Sequence, residues 1–209
     1  GSLSDADICH SQKGTLRSGS WEEVTKPCEE YRELIGDLRR QGGHFVKIMI
    51  SGIMDFTHGG LTEPSLADSE IRELIHIAHE EGFAVMSHTN GVYGTRAAIE
   101  AGVDSLEHGN YMDEETLSML ADSDTVWVPT LVTVRNLLGC GRYDDEVLRP
   151  IIVQAENLVR LAFAKKVKVA PGSDAGAYMV PHGKGICQEY ELQILEIDRS
   201  AGVAAGWRM

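Results

Sequence analysis

The chain has 209 residues, 43% hydrophobic and 24% charged, which is an ordinary globular balance with enough apolar mass for one sizeable core. Its 19 basic and 32 acidic residues leave a net charge of -13, and that field repels phosphate backbones and anionic membrane surfaces, so neither nucleic acid nor membrane is an expected partner. No apolar stretch approaches the roughly 20 residues of a transmembrane helix, the opening GSLSDADICHSQKG has no signal-peptide pattern, and Cys9, Cys28, Cys140 and Cys187 form no CxxC pair, so the expected setting is a reducing cytoplasm.

The elements alternate along the chain. Ser20-Trp21-Glu22-Glu23 has the form of a capping box, and a helix with Tyr31, Leu34, Ile35 and Leu38 at helical spacing follows it. Pro27 is expected in an early turn or at the break after a first short piece, and Gly42-Gly43 ends the helix. Phe45–Ile50 reads as a strand. The connection Ser51–Ala67 holds Gly52, Gly59, Gly60 and Pro64 and is long enough to suggest a functional loop. A helix starts at Asp68 or Ser69 and stops at Gly82, and Phe83–His88 is the next strand. A short helix, Tyr93–Ala101, stops at Gly102 before the strand Val103–His108. Asp113 caps a helix through Ala121, and Thr125–Thr130 is a strand. A long helix runs from about Asp144 to Lys165, Val167–Asp174 is the last strand, and a helix lies near Gln188–Asp198.

Five strands, each followed by a helix, argue for an α/β fold with a parallel sheet and right-handed crossovers. The strands are nearly continuous apolar runs, as when both faces are covered. An open doubly wound sheet and a barrel both fit this pattern. A full (β/α)8 barrel usually takes roughly 250 residues, with about 200 as the floor.

Active sites of parallel α/β folds lie at the carboxyl ends of the strands. Here His88 and His108 end consecutive strands and Asp174 ends the last one. Two imidazoles and a carboxylate at one rim suit zinc or a similar divalent ion. Lys47 shares one strand face with Phe45 and Met49, by alternation. An ammonium enclosed there must be paired, neutral or modified. The plainer alternative is an edge-strand lysine guarding against aggregation.

Five segments in this order resemble the amidohydrolase superfamily, and within it the imidazolonepropionase-like and Xaa-Pro dipeptidase-like branch. They are Phe45-Val-Lys-Ile-Met49, Ser87-His88, Leu106-Glu-His-Gly-Asn110, Pro129-Thr-Leu-Val-Thr133 and Gly172-Ser-Asp174, within a likeness from about Gly43 to Leu192. The resemblance implies a metal-dependent (β/α)8 TIM barrel that hydrolyses C–N bonds of an amide, dipeptide or cyclic amide. It implies that Lys47, carboxylated by CO2, bridges divalent ions, zinc foremost, one or two in number. His88 and His108 would be ligands from the fifth and sixth barrel strands. Asp174, on the eighth, would bind metal and act as general base toward a water whose pKa the ion lowers to about 7. Asn90, Tyr93, Arg96 and His182 are the residues expected to face a small-molecule amide or peptide substrate.

The sequence departs from the family in one respect. The family's first strand carries a His-x-His metal pair, and no such pair occurs in these 209 residues. The small β-domain that usually flanks such a barrel is not expected within these residues. Residues 1–209 are therefore expected to form one partial barrel domain holding barrel strands four to eight. Such a fragment has two open sheet edges, expected to be covered by another copy of the chain or by a missing barrel segment. A non-catalytic or assembly-dependent fragment is the alternative function. A metal-free open-sheet enzyme using the histidines as acid–base groups is a third reading, without a Gly-rich phosphate loop or nucleophile elbow to support it.

Overall fold

The computed structural model describes residues 27–62 and 66–206. The expected capping box at Ser20 and the thiol of Cys9 lie outside them. Helix α1 (Pro27–Arg40) begins on its proline, whose fixed φ and missing N–H suit a first helical turn. Strand β1 (Phe45–Met49) follows, then α2 (Asp68–Glu80), β2 (Ala84–Thr89), α3 (Val92–Glu100), β3 (Ser105–His108), α4 (Glu114–Ala121) and β4 (Val126–Val128). The rest is helical: α5 (Val132–Arg135), α6 (Asp145–Lys165) and α7 (Lys184–Gly206).

The sheet is parallel throughout, in the order β1-β2-β3-β4. Val46, Ile48 and Ile50 are buried beneath the helices with Ile71, Ile75 and Val85, while Phe45, Lys47 and Met49 are half-buried on the opposite face. A second core gathers around Trp127 and Leu106, against Leu117 and Leu120 of α4 and Leu158 and Val159 of α6. Register places Met49 beside His88, His88 beside Glu107, and Glu107 beside Val128. One layer thus crosses the strand ends.

The expected fifth strand, Val167–Asp174, is a correction: it makes a single parallel bridge, between Val169 and Trp127. Trp127 N–H donates to the Lys168 carbonyl (2.8 Å) and Ala170 N–H to the Trp127 carbonyl (2.9 Å). Pro171 has no N–H to extend the ladder, and Pro129 ends β4 on the other side. The segment still follows the sheet edge and delivers Asp174 to its end. Helix α5 was not expected from the sequence, and α7 is longer than the expected Gln188–Asp198.

Helix α7 packs with its polar side inward. Glu189, Gln193 and Glu196 are buried, while Ile186, Tyr190, Ile194, Leu195 and Ile197 are exposed. The buried carboxylates are satisfied. Val132 N–H donates to Glu189 Oε2 (2.9 Å), and Arg160 Nε and Nη2 donate to Glu196 Oε2 (3.0 and 2.8 Å).

Candidate active site

Lys47, His88, His108 and Asp174 come from four segments, and all line one cavity of ≈ 500 Å³ at the carboxyl ends of the strands. Lys47 and His88 face it because the strand pleat turns alternate residues to that side. His108 does so by another route. Leu106 is fully buried under the helices, so strict alternation directs His108 to the helix side too. A backbone φ of 71° at His108 reverses that direction. Such a φ is uncommon outside glycine, and Thr130 (50°) and Asp174 (51°) share it. Three segment ends on this side of the sheet thus turn sharply.

The turn at His108 is held from several sides. Trp127 Nε1–H donates to the His108 carbonyl (2.9 Å), and Gly109 N–H donates to the Thr89 carbonyl (2.9 Å). Gly109 has a φ of 67°, and a Cβ there would meet Trp127 Nε1 at 2.6 Å. His108 Nδ1 lies 2.7 Å from Thr130 Oγ1, which leaves Nε2 as the ring nitrogen for the cavity. The His88 and His108 rings meet edge to face, 4.6 Å between centroids. His88 Nε2 lies 3.3 Å from the Gly52 carbonyl oxygen and 3.4 Å from Asn90 Nδ2. Asn90 is itself anchored, with Oδ1 accepting from Asn110 N–H (3.1 Å) and Nδ2 (3.0 Å).

Burial, then the charges of His88 and Lys47, holds the His108 imidazole well below the usual histidine range. That favours the neutral imidazole, which is the form that binds metal. Glu107 is buried in the same neighbourhood, and burial pushes its carboxyl up. Its Ser105 hydrogen bond and Lys47 oppose that shift, while Asp174 adds to it. Glu107 was not singled out from sequence, although its two-residue offset from Ser105 on a strand places both on the cavity face.

The donor types suit a divalent ion, and the geometry supplies part of a site. The two imidazole rings are in contact, with Lys47 and Asp174 on the same cavity wall. Among the described residues, no three His, Cys, Asp or Glu side chains gather closely enough to hold a metal ion.

The expected substrate-facing residues divide. Asn90 lines the cavity. Tyr93, Arg96 and His182 do not line it. Tyr93 is 57% exposed on α3, on the side of Asp68. Arg96 is tied to α4 through Thr116 Oγ1 (3.0 Å), Asp113 (2.8 Å) and Glu115 (2.7 Å). His182 is exposed beside Gly176. Of the other histidines, His79 bonds Asp104 (2.8 Å) and His58 bonds Asp55 (2.7 Å). The rest of the cavity wall is mostly apolar and aromatic, with Ile53, Met54, Phe56, Leu137, Tyr143 and Tyr178 beside the polar Asn110 and Thr133.

No family model matches the chain. An uncharacterized protein of Mycobacterium tuberculosis is 29% identical over 156 residues, 72% of this chain and 41% of that protein. Ochratoxinase of Aspergillus niger is 29% identical over 111 residues, 53% of this chain and 23% of that one. Among solved structures, a Xaa-Pro dipeptidase with methionine in its active site is 26% identical, with a TM-score of 0.65 over 81% of this chain and 43% of that one. The putative prolidase of Bifidobacterium longum (24% identity, TM-score 0.67) matches 84% of this chain and 45% of its own. The chain is similar to amidohydrolase-superfamily barrels of the Xaa-Pro dipeptidase-like kind.

The likeness covers less than half of each of these relatives, and the four-stranded parallel sheet with its helices corresponds to part of an amidohydrolase-type barrel. In such a barrel the rim at the carboxyl ends of the strands is where βα loops build active sites. That is the rim where Lys47, His88, His108 and Asp174 meet. No helix among the described residues is long and apolar enough to cross a membrane.

Proposed function

We propose that this chain carries the second half of a metal-dependent hydrolase acting on a C–N bond of an amide, dipeptide or cyclic amide. One observation carries the reading: Lys47, His88, His108 and Asp174, up to 127 residues apart (174−47=127), line a single cavity at the strand ends. His88 and His108 would hold the divalent ion, zinc by donor type, with Lys47 carboxylated by CO2 as a further ligand. The ion supplies polarisation of the scissile carbonyl and acidification of water. Asp174, exposed at the cavity wall, would take a proton from the attacking water and pass it to the leaving amine. Thr130 holds His108 with Nε2 inward, and Asn90 supports His88. The apolar side of the cavity takes the body of a small amide.

The test is metal content and hydrolysis of an amide and dipeptide panel by the protein and by His108→Ala. Bound divalent ion that His108→Ala loses, with chelator-sensitive hydrolysis, is the expected result. A full-length protein with neither metal nor hydrolysis refutes the reading. A second reading, an assembly-dependent fragment, is favoured by the lack of a His-x-His pair in the 209 residues. It has the open edge of β1 and the apolar stripe of α7 covered by another copy or a barrel segment. Metal uptake and hydrolysis by the purified chain alone would sink it.

A further inference from the structure

Ten arginines fall among the described residues, and nine have a carboxylate within 4.0 Å. Arg142 is the exception: it makes no ion pair among the described residues. In a chain of net charge -13, an arginine without a carboxylate runs against the composition. Its position adds to the contrast. Its guanidinium carbon lies 5.3 Å from the Tyr143 ring centroid and 4.8 Å from that of Tyr178. Both tyrosines line the cavity that holds Lys47, His88, His108 and Asp174.

We infer that Arg142, stacked on Tyr143 and Tyr178 at the cavity rim, is the receptor for a carboxylate on the substrate. The inference rests on the hydrolase reading for the cavity's purpose, and the geometry supplies the rest. A guanidinium has two faces and an edge, and its N–H donors all point along the edge. Cation–π stacking occupies the faces and leaves the edge open. A carboxylate, planar with two oxygens, matches that edge in a bidentate pair. The two tyrosines come from different loops, one before α6 and one after Asp174, so the stack fixes the guanidinium relative to both. Phe56, from the loop after β1, packs on Tyr143 with centroids 5.5 Å apart and extends the hold to a third loop. The side chain is thus positioned before any ligand arrives, which lowers the entropy lost on binding. The negative field of the chain disfavours a dianion more than a monoanion, which selects carboxylate over phosphate. The apolar wall beside the stack, Met54, Phe56 and Leu137 among it, suits an aromatic or branched apolar group on the same molecule.

The experiment titrates the purified protein with N-acetyl-L-phenylalanine, with its carboxamide and with inorganic phosphate. It follows heat and the Arg142 side-chain Nε–Hε resonance, and repeats the titration on Arg142→Gln and Arg142→Lys. Matching thermal unfolding of the variants checks their folding. The carboxylate is expected to bind at least about tenfold tighter than the carboxamide, as a charge-assisted pair provides. It is also expected to shift the Arg142 signal. Gln removes the preference, and Lys, which lacks the fork, keeps only part of it. Equal affinities, a preference that survives in Arg142→Gln, no binding of the carboxylate, or tighter binding of phosphate would each overturn the assignment. A parallel hydrolysis assay separates the two claims. Amide turnover indifferent to Arg142 keeps the hydrolase reading and discards the receptor. Arg142-dependent carboxylate binding without turnover does the reverse.

Discussion

Alanine at Gly109 tests how the His108 turn is built. The position has a φ of 67°, in the left-handed region where a Cβ costs roughly 1–2 kcal/mol. The added methyl would also stand 2.6 Å from Trp127 Nε1, 2.8 Å from Met112 Cε and 3.1 Å from Leu106 Cδ2. Met112 is flexible and yields. Trp127 does not, because it is 1% exposed and its indole N–H is bound to the His108 carbonyl. Overpacking of this kind costs typically about 1–3 kcal/mol, so the sum is roughly 2–5 kcal/mol. Gly102 is the control. Its φ is 80°, but no atom lies within 4 Å of the place a Cβ would take, so Gly102→Ala carries the backbone cost alone. At about 2–4 °C per kcal/mol for a chain of this size, Gly109→Ala should melt about 2–12 °C below Gly102→Ala. Thermal unfolding of the two variants side by side reads the difference. Equal melting temperatures would refute the claim that Trp127 and Gly109 together fix the approach of β3 to the cavity.

Glu189→Ala should destabilise the protein by roughly 1–3 kcal/mol, because it leaves the buried Val132 N–H and the Gln193 amide without their acceptor. Hydrogen exchange at Val132–Arg135 should quicken with it, and unchanged protection there would count against the role. Asp113 sets a pH dependence. Its carboxyl is held down to about 2 by the Thr116 hydroxyl, the Thr116 N–H and then Arg96, against 3.8 ordinarily. A depressed folded pKa stabilises the fold fully above 3.8, and that contribution is lost as pH falls toward about 2. Its carboxylate is 46% exposed, so solvent screening reduces the size of the effect. Asp113→Asn keeps a capping oxygen but not the charge that pairs with Arg96, so its urea midpoint should lie below the parent's at neutral pH and the gap should narrow on acidification. Parallel curves for the two proteins would exclude this account.

Much of the local organisation was legible in the sequence because its signals are short-range. Asp113 caps α4 by accepting from Thr116 N–H (2.8 Å), and Asp144 caps α6 by accepting from Glu146 N–H (2.9 Å). Gly82 and Gly102, with φ of 77° and 80°, end helices where expected. Strand alternation placed Lys47 and Met49 on a different face from Ile48, as the burial pattern of β1 shows. Strand-end position marked His88, His108 and Asp174 as a group.

Residues whose surroundings come from distant segments were not legible in this way. Tyr93 and Arg96 follow His88 closely in sequence, but α3 turns them toward Asp68 and toward Asp113 and Glu115 instead of the cavity. Glu107 and Arg142 carry no local signal of their roles. A strand glutamate reads as solvated until its neighbours on both sides are known. An arginine is conspicuous for lacking a carboxylate among the described residues only when their positions in space are known.

The sequence by itself determined the alternation of strands and helices, their caps and stops, and the chemistry carried to the strand ends, because each follows from backbone preferences within a few residues. Only the tertiary structure decided that residues 167–170 are held by one bridge, that His108 turns inward through a left-handed φ against Trp127 and Thr130, and that Arg142 is stacked on two tyrosines. Those outcomes depend on groups brought together from different loops and strands, and no local pattern encodes that meeting.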